Sequence, residues 1–198
     1  MPRLEQNPIT NNEWFTPNWL IDQIRDDFFK SVLDLDPTSC EVANRNVKAK
    51  RYFSKQNTCL DKPWVAKSIF MNPPYKKENG LGVERFIDKL ISEIELGNVG
   101  ESILLVRAST DTNWFLKLVS IGKIAFSHGR VNFISSNGFV VKDNSPSGHC
   151  LIYVPGYLNR KKEFIQFIDR LIIPKKTSPK KFFFLDSENI SKVTRLSA

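Results

Sequence analysis

Four consecutive residues, Asn72-Pro73-Pro74-Tyr75, carry the strongest chemical signal in this chain. They follow a short apolar run, Lys67 to Met71, that reads as a strand. Neither proline can donate to a ladder, so the strand must stop there. The asparagine side-chain oxygen and the carbonyl of the first proline are both acceptors. The prolines fix φ and bring no competing N–H, so those carbonyls are held rigidly. Two acceptors aimed at the hydrogens of one NH₂ suit a nitrogen whose lone pair is delocalised, such as the exocyclic amino group of adenine. They turn that nitrogen toward tetrahedral geometry and ease the positive charge that develops when it attacks. Tyr75 adds a ring on which a base can stack. In a duplex that amino group lies inside a base pair, so the base must be flipped out, at a cost of about a few kcal/mol. A strand-end proline pair alone is ordinarily just a loop. The full tetrapeptide, after a strand and before a helix, points to chemistry.

The surrounding elements must place this tetrapeptide at an open edge. Thr16-Pro17 opens a helix, with Thr16 as N-cap and Pro17 at the first helical position. Leu20, Ile24 and Phe28 then form an apolar stripe. Ser31 to Asp36 and Lys50 to Phe53 read as strands around a short stretch, Glu41 to Lys48. Val83, Phe86, Ile87, Leu90, Ile91 and Ile94 fit helical spacing, and Gly97 ends that helix. Ser102 to Val106 is a buried strand, and Asp111 to Val119 a helix with Trp114, Phe115 and Leu118 on one face. After Gly122 come short strands at Lys123–Phe126, Val131–Ile134, Gly138–Lys142 and Cys150–Val154. One more helix spans Phe164 to Ile172, followed by a basic stretch, Pro174 to Lys181. Strand–helix alternation followed by hairpins predicts an α/β fold, with a mostly parallel sheet, an antiparallel edge and helices on both faces. In such a sheet ligands collect outside the carboxyl ends of the strands, which is where the tetrapeptide sits.

The 198 residues suit a single α/β domain, with a core over about 14–155 and a C-terminal helix and basic extension over about 160–198. No run of 18 apolar residues exists, so no membrane span is expected. The first residues lack the apolar stretch of a secretory signal. Cys40, Cys59 and Cys150 show no metal-ligand spacing, so no metal site is expected and reduced thiols in the cytoplasm are the simplest reading. A net charge of +8 makes the surface attractive to phosphate backbones, although a basic surface also serves plain solubility.

The arrangement resembles the phage-type DNA N-6-adenine methyltransferases, the phage Dam family. The landmarks are Glu13-Trp14-Phe15-Thr16-Pro17, Leu33-Asp34-Leu35-Asp36-Pro37, Asp61 with Trp64, and Asn72-Pro73-Pro74-Tyr75. Ser109 to Phe115 and Gly129-Arg130-Val131-Asn132-Phe133 continue the series. The tetrapeptide itself is shared with methyltransferases acting on glutamine side chains; the flanking landmarks favour the phage family. The resemblance implies a class I, Rossmann-like methyltransferase fold, S-adenosylmethionine as cofactor, and duplex DNA with a flipped adenine as substrate. It implies catalysis at Asn72, Pro73, Pro74 and Tyr75. It implies cofactor contacts from Thr16, Pro17, Asp34, Asp36, Pro37, Phe53, Asp61 and Asn72. Two departures stand out: the loop after Asp36 lacks the Gly-x-Gly common among methyltransferases, and the second strand ends in Phe53-Ser54 without an acidic residue. Phage or prophage origin and a place in restriction–modification follow from the resemblance only.

Candidate DNA contacts are Lys76 and Lys77, directly after the tetrapeptide, and Arg130 and Asn132 beside a hairpin. A monomer is expected. Two other functions remain open: methylation of RNA adenine or of protein glutamine by the same acceptor geometry, and a non-catalytic nucleic-acid binder on this scaffold.

Overall fold

The computed structural model describes residues 14–54, 59–75, 82–135, 147–174 and 181–185. The predicted strand over 138–142, Lys76, Lys77 and most of the basic stretch after Pro174 lie outside them. A seven-stranded sheet forms the centre. It contains β2 (Leu35–Asp36), β3 (Arg51–Tyr52), β4 (Ala66–Met71), β5 (Val99–Arg107), β6 (Lys123–Ser127), β8 (His149–Pro155) and β9 (Phe182–Phe183), in the order β3-β2-β4-β5-β8-β6-β9. β2 is parallel to β3 and β4, and β4 is parallel to β5. β8 is antiparallel to both β5 and β6, and β9 is antiparallel to β6. Five strands therefore share one direction. The expected antiparallel part takes the form of a reversed strand, β8, inserted between β5 and β6.

Helices cover both faces. On one side lie α1 (Asn18–Gln23), the π-helical turn Ile24–Phe29 that continues it, and α5 (Lys161–Arg170). Leu20, Ile24 and Phe28, the predicted stripe, are all buried there with Phe164 and Phe167 against Ile103, Leu105 and Tyr153. α2 (Glu41–Val47) joins this layer through Val47. On the other side α3 (Val83–Glu95) and α4 (Asn113–Ile121) bury Phe86, Ile87, Leu90, Trp114, Phe115 and Leu118 against Met71, Leu104, Val106 and Ile152. Gly97 ends α3 at φ 74°, a left-handed turn that glycine adopts without steric cost.

A polar network pins the two layers. The Glu101 carboxylate, buried in β5, accepts from Tyr153 Oη at 3.1 Å and from Arg160 Nη1 at 3.0 Å. Arg160 Nη2 reaches the Phe28 carbonyl at 2.8 Å. One arginine thus joins β5, β8, the start of α5 and the π-helical turn.

Two elements differ from the sequence expectation for physical reasons. Thr16 does not cap α1: Pro17 holds the cap position and no side chain caps it. The Thr16 hydroxyl faces Asn72 instead. The expected strand Val131–Ile134 shrinks to β7 (Ile134–Ser135), because its partner is β1 (Trp14–Phe15), a segment before the first helix. Val131 and Phe133 are buried without joining a ladder. No helix among the described residues is long and apolar enough to cross a membrane, and none of their His, Cys, Asp and Glu residues form a group able to hold a metal ion.

Candidate active site

The carboxyl ends of β2, β3, β4 and β5 form one edge, where Asp36, Phe53, Asn72 and Arg107 stand. β4 ends at Met71 and Asn72 leaves the sheet, as the prolines require. The Asn72 amide nitrogen donates to the Trp14 carbonyl at 3.0 Å and to Thr16 Oγ1 at 3.4 Å. A carbonyl can only accept, so the Trp14 contact fixes which end of the amide faces it. The oxygen, Oδ1, points the other way. Among the described residues no donor occupies Asn72 Oδ1 or the Pro73 carbonyl. Pro73 is buried and Pro74 exposed.

Thr16 is itself held. Its carbonyl accepts from Asn46 Nδ2, on α2, at 2.8 Å. The antiparallel pairing of Trp14–Phe15 with Ile134–Ser135 carries this strap across the site, and the Trp14 ring meets Phe133 edge-on at 6.3 Å. Thr16→Val removes one of the two anchors on the Asn72 amide while keeping shape. The expected result is a turnover reduced about three- to tenfold, in line with a single hydrogen bond of about 1 kcal/mol, with cofactor affinity within twofold by calorimetry.

Tyr75 sits half-buried against the apolar cluster under α3 and α4. Its hydroxyl accepts from the Arg107 backbone N–H at 2.6 Å, and the Arg107 guanidinium lies 4.3 Å from the ring centroid. Burial raises the phenol's proton affinity above its ordinary value.

Asp36 closes β2 and is 4% exposed. Its Oδ1 accepts from Thr38 N at 3.0 Å and Thr38 Oγ1 at 3.3 Å, which makes the Asp36-Pro37-Thr38 turn. Burial pushes its carboxyl up to about 6, against the opposing hydrogen bonds from Thr38 and Ser39. No cation pairs with it among the described residues. Phe53, next to it across the ladder, donates its N–H to the Asp36 carbonyl at 3.1 Å. Lys62 Nζ stands 5.5 Å from the Phe53 ring centroid. Asp61, in the 3-10 turn Cys59–Asp61, is exposed and engaged with a partner.

Two expected site residues stand apart from this group. Asp34 lies two residues back along the strand, about 7 Å from the edge position of Asp36. Its carboxylate is taken by Lys50 Nζ at 2.8 Å and Lys67 N at 3.0 Å. Burial disfavours its charge, but those contacts leave it below its ordinary range. It lines a hollow of about 430 Å³ with Lys50, Arg51, Lys67 and Tyr157, on the amino-terminal side of the sheet. Asn132 is 8% exposed and engaged with a partner in the free protein. Arg130 is exposed beside Gly129, whose φ is 105°. Trp14, Asn46 and Arg107 were not among the expected site residues. Of these, Trp14 belongs to the sequence landmark Glu13-Trp14-Phe15-Thr16-Pro17, and Arg107 directly follows the predicted strand Ser102 to Val106.

The profile of one family, DNA N-6-adenine-methyltransferase (Dam), matches residues 6–177. The chain belongs to this family. The Dam match spans every element described above up to α5, including the strap, the Asp36 turn and the tetrapeptide. The description of that family names methyl transfer to N6 of adenine in DNA. No curated protein matches the chain. Among solved structures it is similar to the crystal structure of Thermoplasma acidophilum 1320, at 15% identity and a TM-score of 0.32. That likeness covers 58% of this chain and 59% of the other, so this Dam-family chain spans less than two thirds of that protein.

Proposed function

We propose that this chain, as a single-domain monomer in the cytoplasm of a bacterial or phage-infected cell, transfers a methyl group from S-adenosylmethionine to N6 of an adenine flipped out of duplex DNA. The observation that carries the reading is the anchored Asn72 amide, which leaves Oδ1 and the carbonyl of the next residue, Pro73, as two acceptors without a donor among the described residues. Together they accept from the adenine NH₂ and favour the pyramidal nitrogen. Tyr75, tied through its hydroxyl to β5, offers a fixed ring for the extruded base.

The residues at the edge fit the cofactor. Asp36 is a buried carboxylate with no cation paired to it among the described residues, and S-adenosylmethionine carries an ammonium and a sulfonium. Phe53 offers an aromatic face next to it. When bound, the cofactor supplies an electrophilic methyl group on sulfur. The chain's part is to hold that cation near Asp36 and to aim the amino nitrogen with Asn72 and Pro73.

Incubation with labelled S-adenosylmethionine and DNA, RNA or protein, followed by nucleoside analysis, tests the reading. N6-methyladenine in DNA is expected. Label in RNA or on glutamine alone moves the substrate class, and no label anywhere leaves a binder. A pair of variants tests the ring. Tyr75→Ala is expected to weaken use of duplex by about 1–3 kcal/mol, the worth of stacking a base on an aromatic ring. Tyr75→Phe keeps the ring and loses only the tie to Arg107, so most of the activity should survive. Equal losses in both would show that stacking is not the ring's contribution.

A further inference from the structure

Arg107 has no part in the reaction as proposed above, yet it closes over Tyr75. Its backbone N–H holds the tyrosine hydroxyl at 2.6 Å, and its guanidinium carbon lies 4.3 Å from the ring centroid. Tyr75 also packs on the apolar cluster beneath α3 and α4. The ring is thus fixed at its edge and covered on one face by a flat cation. A guanidinium stacked on an aromatic ring takes up the footprint of a stacked base. A base that arrives at this face must first move Arg107.

The charge around Arg107 supplies a second observation. No carboxylate pairs with it among the described residues. His149, directly across the β5–β8 ladder from it, is 3% exposed. Burial pushes that imidazole down to about 4, and the charges of Arg107 and Arg130 push the same way. The neighbourhood therefore holds two arginines around a neutral histidine. An extruded nucleotide brings the anion such a place lacks, because its phosphate travels with its base.

We propose that Arg107 is a placeholder: in the free protein its guanidinium occupies the Tyr75 face that the target base takes, and once displaced it binds the phosphate beside that base. This rests on the flipped-adenine reading and adds an exchange to it. Until the exchange occurs the slot is filled, so the ring is not left open to stray apolar ligands. The tie between the Arg107 backbone and Tyr75 is independent of the arginine side chain, so substitution leaves the ring in position.

The test compares wild type with Arg107→Ala and Arg107→Lys, using duplex DNA, labelled S-adenosylmethionine and adenosine as a competitor of DNA at saturating cofactor. Adenosine is expected to inhibit both variants about two- to fivefold more strongly than wild type, since the planar cover on the ring is gone. The slope of log affinity for DNA against log salt should become shallower by about one in Arg107→Ala and stay unchanged in Arg107→Lys, which keeps the charge. KM for DNA should rise in Arg107→Ala while the Kd for cofactor stays within twofold. Melting temperatures near wild type show that the fold is intact, and Arg107→Lys carries the adenosine comparison if the alanine variant does not fold. Equal adenosine inhibition in all three proteins overturns the placeholder, and an unchanged salt slope in Arg107→Ala overturns the phosphate contact. If wild type methylates DNA while the variants behave as it does, only this inference is lost. If wild type transfers no methyl group to DNA, the proposed function falls and takes this inference with it.

Discussion

Asn72→Ala is expected to lower the rate of methyl transfer by about 10²–10³-fold, the usual loss when one preorganised polar group is removed from a developing charge. Cofactor affinity should stay within about threefold, because the Asn72 amide nitrogen is spent on Trp14 and Thr16 and the proposed reaction uses its oxygen for the acceptor substrate. The effect should appear in kcat with little change in KM for DNA. Asn72→Asp sharpens the test. It keeps an acceptor oxygen but turns a second oxygen toward the Trp14 carbonyl, so it should recover part of the rate and cost some stability. Steady-state kinetics with labelled cofactor, together with thermal melts, measure both. Retained turnover in Asn72→Ala would remove this residue from the reacting group and end the two-acceptor account.

Asp36→Asn is expected to weaken S-adenosylmethionine binding by about 10–100-fold, the worth of one charge-assisted hydrogen bond of about 1.5–3 kcal/mol. The pH dependence gives this prediction its sign. The Asp36 carboxyl is raised from 3.8 to about 6 by burial. Only the ionised form attracts a cationic cofactor, so wild-type affinity should fall as pH drops through about 6. The asparagine variant should show no such step. Folding runs the other way. Because the folded-state value lies above the unfolded one, the stability linked to protonated Asp36 is fully present below about 3.8 and is lost as pH rises through about 6. Above that pH the free protein carries a buried charge with no cation beside it among the described residues, and Asp36→Asn relieves it. The variant should therefore melt at the same temperature as wild type or higher at pH 8 without cofactor, yet gain little when cofactor is added. Calorimetry across pH and paired melts check this. A variant that binds cofactor normally would take Asp36 out of the cofactor site.

Much of this was legible in the chain. The stripe Leu20, Ile24 and Phe28 is buried as its spacing requires, even though the helix passes into a π-helical turn beneath it. The apolar positions of α3 and the buried runs of β4 and β5 declared themselves in the same way. The tetrapeptide stands at a strand end because prolines leave a ladder no alternative. What stayed hidden depends on partners far along the chain. β1 and β9 are two residues long each, too short for any period to register. Asp34 and Asp36 look alike in Leu33-Asp34-Leu35-Asp36, since both obey the same alternation. Only their distance from the strand end separates a carboxylate tied to Lys50 from one left without a cation. The Thr16 hydroxyl suited a helix cap equally well, and the nearby asparagine amide won it. Arg107 drew no expectation at all, because nothing local tells that Tyr75 lies beneath it.

The strap from Trp14 to Thr16 also sets an order of events during synthesis. Its strand partner, Ile134–Ser135, leaves the ribosome more than a hundred residues after it. It follows that a nascent chain shorter than that has no ladder to hold the carbonyl that orients Asn72.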